Sequence, residues 1–305
     1  MSDHAAVELS PEAIAFADWM AQLAVPESEV DALRTRVESV HLKAREPEGV
    51  TYKEVDAGGV LGIWCEPVGA NTDYVLLHGH SGGSVLSSAF VDRKVGGHIA
   101  KAAGAPVLVL DFRRSPEHKY PAQLDDMESA FNWLLSEGYA AGNIISIGHS
   151  IGGFLAVALA LRLRDKKQPL PGAIVSISPW CDLEIASKTM ETNAETDKML
   201  SREILQFFRE SWLGGTGIEF TDARINLNRA DLSGLPPTLV SWGTYEVLAG
   251  EDEEFAARVS NAGIDTATVV VHGGQHSYVL GAGRVPEADA AIAQIGAWIR
   301  DKTTI

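Results

Sequence analysis

With 305 residues, 46% of them hydrophobic, the chain can bury the core of one large α/β domain or two small ones without staples. Its formal net charge of −16 argues against nucleic acid and anionic lipid, which select basic surfaces, and suits a neutral or cationic small substrate better than an anionic one. Two cysteines, Cys65 and Cys181, can build neither a disulfide framework nor a zinc pattern. With no leader-like N-terminus and no spanning apolar run, the reading is a cytoplasmic protein off the membrane.

Ser10-Pro11-Glu12 opens a first amphipathic helix, with Ser10 as cap and Pro11 at the first helical position, carrying Ile14, Phe16, Trp19, Met20 and Leu23. Pro26 interrupts it. Pro26-Glu27-Ser28-Glu29 opens a second, carrying Val30, Leu33, Val37, Val40 and Leu42. This segment, 1–48, reads equally as an arm packed on the core and as a helical cap over a pocket. From Val50 strands fall near 50–55, 60–66, 73–78, 106–110, 143–147, 173–177, 238–242 and 267–271, and helices near 90–103, 122–137, 152–164, 250–262 and 286–301. Asp56-Ala57-Gly58-Gly59 marks a hairpin between the first two strands; thereafter the alternation predicts a mostly parallel sheet covered on both faces over 49–305. An insertion at about 183–230 carries Ile204, Leu205, Phe207, Phe208 and Trp212; its place between two strands predicts a cap over the carboxyl edge, where ligands bind.

Gly148-His149-Ser150-Ile151-Gly152 follows the apolar run Ile144-Ile145-Ser146-Ile147 and precedes the apolar stretch from Phe154 to Leu163. In a strand–turn–helix context the motif forces its serine into a strained turn and aims a helix N-terminus at any anion formed there. Gly79-His80-Ser81-Gly82-Gly83 repeats the pattern, but Ser84-Val85-Leu86-Ser87-Ser88-Ala89 behind it lacks a helical apolar stripe. It reads as a loop whose N–H groups face the turn. A serine nucleophile needs an imidazole base oriented by a carboxylate. His276 lies in the loop after Ala267–Val271 and is preferred to His272, which sits at the strand's end. Glu246 is the first acid past the strand Thr238–Trp242. Glu251, Asp252, Glu253 and Glu254 read as the solvated first turn of the next helix.

Four segments then resemble the hormone-sensitive-lipase-like group of bacterial α/β-hydrolase esterases and lactone hydrolases: His78 to Gly83, Asp111 to His118 with Pro121 to Asp126, Gly148 to Gly153, and Ser178 to Leu183. The resemblance covers roughly 50–300. It implies an α/β-hydrolase fold with an eight-stranded, mostly parallel sheet, and a Ser150–Glu246–His276 triad. Three departures stand out. The loop after the third strand is two residues longer, placing the oxyanion donors at Gly82, Gly83 and Ile151, or at His80 and Ser81 if aligned without a gap. The acid is Glu246 where the family has Asp. His149, read as a packing residue, stands where the family has an acid. Arg113, Glu117, His118 and Asp125 read as a structural charge group.

The function implied is hydrolysis of small, largely apolar esters or lactones through an acyl-enzyme, with no metal or organic cofactor. An amidase, peptidase or lyase on the same turn is the alternative among enzymes, and a non-catalytic ligand-binding module the alternative outside them. The pattern leaves the oligomeric state open and allows a homodimer through an edge strand or the last helix.

Overall fold

The computed structural model describes residues 8–22, 29–41 and 43–303; Leu23, Pro26, Glu27, Ser28 and Leu42, and the side chain of Val40, lie outside the described residues. Two helices, α1 (Pro11–Ala21) and α2 (Val30–His41), lead into the hairpin β1 (Val50–Asp56) and β2 (Leu61–Pro67). Then follow β3 (Val75–Gly79), α3 (Ala89–Ala103), β4 (Val107–Leu110), α4 (Ala122–Ser136), β5 (Ile144–His149), α5 (Ile151–Asp165) and β6 (Ala173–Ile177). The insertion carries the short α6 (Thr189–Thr192) and α7 (Arg202–Leu213). The chain closes with β7 (Thr238–Gly243), α8 (Ala249–Asn261), β8 (Thr266–Val271) and α9 (Pro286–Thr303).

The eight strands form one sheet in the order β1-β2-β4-β3-β5-β6-β7-β8, with β2 antiparallel to both neighbours and the rest parallel. Every residue of β3, β4, β5, β6 and β7 is buried, in keeping with their largely apolar sequences; β2 and β8 mix buried positions with more exposed ones, and no residue of β1 is buried. One apolar layer joins α4, α5, α8 and the insertion on one face, and a second joins α3 and α9 on the other. From β3 the chain steps outward to β4 and then returns to the other side as β5. That reversal opens a crevice at the carboxyl ends of the strands.

The N-terminal helices take different stations. Ser10 caps α1 by accepting from the Ala13 N–H and also bonds Glu287 at the start of α9, while Phe16 and Met20 join the α3–α9 layer. Helix α2 reaches the front of the molecule, where Arg34 bonds both oxygens of Glu117 at 2.8 Å and donates to the carbonyls of Val85 and Ser115. Among the described residues no helix is long and apolar enough to cross a membrane.

Candidate active site

Glycines on both sides of Ser150 make room for the turn between β5 and α5. A side chain at Gly148 or Gly152 would run into the Gly79 carbonyl, and Gly152 also lies against the His80 carbonyl. The end of β3, the turn and the first residues of α5 therefore interlock backbone to backbone. Ser150 is held at φ +57°, a conformation L-residues avoid, with its N–H bonded to the Ile177 carbonyl at 2.9 Å. Helix α5 begins at Ile151, as the apolar stretch predicts; after Ser81 the chain instead turns on Gly82, whose carbonyl accepts from Val85 and Leu86.

His276 and Glu246 meet. His276 Nδ1 lies 2.6 Å from Glu246 Oε2, with both side chains buried, whereas His272 is exposed. The second carboxylate oxygen accepts from the Gly243 N–H at 2.6 Å and the Ser178 hydroxyl at 3.0 Å. Folding back onto its own loop in this way absorbs the extra methylene of glutamate. Because a carboxylate only accepts, Nδ1 carries the proton and Nε2 is left free to act as a base. Ser150 Oγ makes no hydrogen bond with a described residue; the two loops meet at the residues next to Ser150 and His276, where His149 Nδ1 lies 3.0 Å from Ser277 Oγ.

Several contributors were not singled out from the sequence. Ser178 (φ +42°) links Glu246 to the Ser277 N–H at 3.2 Å, and Ser277 itself sits at φ +52°. The insertion grips both loops. Asp197 accepts from the N–H groups of Met199, Leu200 and Val247; Asn193 and Thr196 donate to carbonyls of residues 244–246; and Gln275 exchanges bonds with Thr196 and Lys198. Only the Ser-Pro-Trp segment around Ser178 carried a signal.

Three sequence expectations change. Glu251 and Asp252 are not solvated: both are fully buried, Glu251 accepting from the N–H groups of Cys181 and Asp182, and only Glu253 and Glu254 face water. Desolvation holds both buried carboxyls well above their ordinary range. His149 does more than pack. Its Nε2 lies 3.1 Å from both oxygens of Asp92, an acid supplied by α3 rather than by the turn. The charge group pairs outward instead of internally: Arg113 with Asp126, Glu117 with Arg34, and Asp125 with Arg162.

His78, Asp92 and His149 are the cluster of described residues that could ligate a cation, their ligating atoms all lying within 4.8 Å. The 2.7 Å separation of His78 Nε2 from Asp92 is that of a charge-assisted hydrogen bond.

A family model described as the α/β hydrolase fold matches residues 76–280. An esterase of the bacterial hormone-sensitive lipase family superposes with a TM-score of 0.93 at 33% identity, over 97% of this chain and 99% of that one. The chain belongs to that group of α/β hydrolases. The hydrolase is also 33% identical to an acetyl-hydrolase of Streptomyces hygroscopicus over 82% of each chain. It is 30% identical to an esterase of Acinetobacter venetianus over 74% of each.

Electrostatics give this hydrolase a testable pH profile. Burial pushes the His276 imidazole down, with Asp197 opposing; burial pushes the Glu246 carboxyl up, opposed by the Gly243 N–H and the Ser178 hydroxyl. A base must be neutral to accept a proton, so a lowered imidazole extends activity toward acid. The acidic limb of kcat/KM for a soluble ester is expected below the ordinary histidine value of about 6.5. Initial rates across pH 4 to 9 measure it, and a limb above that value contradicts the burial argument.

Proposed function

We propose that this chain is a serine carboxylic-ester hydrolase that cleaves small, largely apolar esters or lactones through an acyl-enzyme. The observation that carries the reading is the buried Glu246–His276 pair together with a serine held at positive φ at the head of α5, their two loops joined by the His149–Ser277 bond. Ser150 attacks the carbonyl as His276 Nε2 takes its proton, and Glu246 stabilises the imidazolium. The N–H groups of Ile151 and of the loop from His80 to Gly83 face the oxyanion; those of Ile151, Gly82 and Gly83 have no acceptor among the described residues. Such donors are worth about 3–4 kcal/mol each in a protease. His276 then protonates the departing alkoxide, and water repeats the sequence on the acyl-enzyme. The two unpaired, buried cysteines suit a reducing compartment, and the cytoplasm is the proposed location.

Substrate size follows from the insertion. The Phe208 ring lies against Gly83, where any side chain would collide with it. Trp212 is fully buried, bonds Gln123 at 2.9 Å and packs edge-on to Tyr120 and Phe154, so it anchors the cap to the core. Phe16 and Trp19 belong to the opposite apolar layer and do not line this side. A ring seated on the oxyanion loop favours short acyl groups, in keeping with the acetyl-hydrolase name of the Streptomyces relative.

Rates across p-nitrophenyl esters are expected to peak at about two to six carbons and to fall steeply beyond about eight, because overpacking a closed pocket costs more than a methylene gains. Phe208→Ala is expected to move the peak to longer chains. A maximum at about twelve carbons in the parent enzyme contradicts a closed pocket. Matched ester, lactone and anilide substrates test the reaction class: anilide turnover matching the ester rate would make the chain an amidase.

A further inference from the structure

The sheet does not hold the nucleophile and the base together. Ser150 follows β5 and His276 follows β8, with β6 and β7 between them, so their strands stand three spacings apart, about 14 Å. The base loop must cross back over two strands and be held there.

One buried chain of side chains spans that distance. His149, immediately before Ser150, bonds Ser277, immediately after His276, at 3.0 Å. On its other side His149 Nε2 reaches Asp92 of α3 at 3.1 Å, and the same carboxylate takes His78 Nε2, from the end of β3, at 2.7 Å. All four side chains are inaccessible to solvent. Asp92 accepts, so His149 Nε2 carries a proton toward it, and the ring's Nδ1 pairs with the Ser277 hydroxyl. The Ser277 N–H passes on to Ser178 Oγ and thence to Glu246. His78 and Asp92 stand on either side of the loop His80 to Ser88, so the chain also ties both ends of that loop to the nucleophile turn.

We infer that Asp92, His149 and Ser277 are positioning residues, a second carboxylate–imidazole–hydroxyl chain that sets the Ser150–His276 separation by clamping the nucleophile turn to the base loop. The inference rests on Ser150 and His276 being nucleophile and base. Loss of turnover in Ser150→Ala tests that assignment separately, so failure of the clamp is distinguishable from failure of the assignment beneath it.

Ser277→Gly is the decisive variant. It removes the hydroxyl at a positive φ that glycine adopts freely, and it keeps the backbone N–H to Ser178. It is expected to fold and to lower kcat and the rate of fluorophosphonate labelling of Ser150 by roughly 10–100-fold, with KM little changed, because a small misplacement of reacting groups is costly. His149→Gln places its amide nitrogen near the former Nε2, facing Asp92, and abandons Ser277. It is expected to match Ser277→Gly, and the double variant to be no slower than either single. A folded Ser277→Gly enzyme with kcat and labelling within about two-fold of the parent overturns the inference. So do losses that multiply in the double variant, which would mean the two residues act independently.

Discussion

Replacing Ser150 by alanine is expected to lower turnover by roughly 10⁶-fold, as loss of the nucleophile does in a protease triad. The residue supplies the electron pair that attacks the substrate carbonyl in the acylation step. What remains is the rate provided by binding and the oxyanion donors, roughly 10³–10⁴ over water in comparable enzymes. The control is Ser81, which lies in the same five-residue pattern and is buried in the loop. Ser81→Ala is expected to keep turnover within about ten-fold of the parent, since it leaves every backbone donor in place. Steady-state hydrolysis of p-nitrophenyl acetate by both variants decides the matter. Full activity without Ser150, together with loss on removing Ser81, would exchange their roles.

Glu246→Gln is expected to lower kcat by about 10⁴-fold at neutral pH, the cost of replacing a triad carboxylate by its amide. An amide cannot stabilise the imidazolium, and its nitrogen in place of the Oε2 facing His276 turns the ring to the wrong tautomer. Asp252→Asn is expected to leave turnover within about ten-fold, because Asp252 makes no hydrogen bond to His276, burial disfavours its charged form, and the amide that replaces it is a neutral group of the same shape. Stability separates the two further. The folded protein binds the Asp252 proton more tightly than the unfolded chain does, so this carboxyl's contribution is fully present below its unfolded pKa and is lost as pH rises. Asp252→Asn is therefore expected to raise the melting temperature, with a gain that grows as pH climbs from about 4. Thermal melts at pH 4 and pH 8, beside kcat for both variants, test it. A crippled Asp252→Asn enzyme would move the acid one helical turn along.

The legible part of the site was local. Ser150 stood out because strand, glycines and apolar helix follow one another within a few residues, and those are the features that strain the turn. Glu246 and His276 were found as polar residues directly past the ends of β7 and β8, where a parallel sheet collects its ligand-binding groups. Glu251 and Asp252 misled because the helix dipole rewards acids in a first turn whether water or protein lies outside it; here the covering N–H groups of Cys181 and Asp182 come from some 70 residues away. Asp92 shares the spacing of Ala89 and Val95 on the buried face of α3, which marks an inward acid without naming its partner.

By itself the sequence determined the eight strands and the helices between them, since burying an apolar run requires a periodic backbone and leaves a periodic trace. It also determined which side-chain chemistry stands at the carboxyl edge. Tertiary structure alone decided which polar groups meet. His149 and Asp92 are 57 positions apart, and His149 and Ser277 are 128 apart. Such pairs form at loop ends, where no periodicity constrains the backbone and a buried donor takes whichever acceptor the packing of distant elements brings to it.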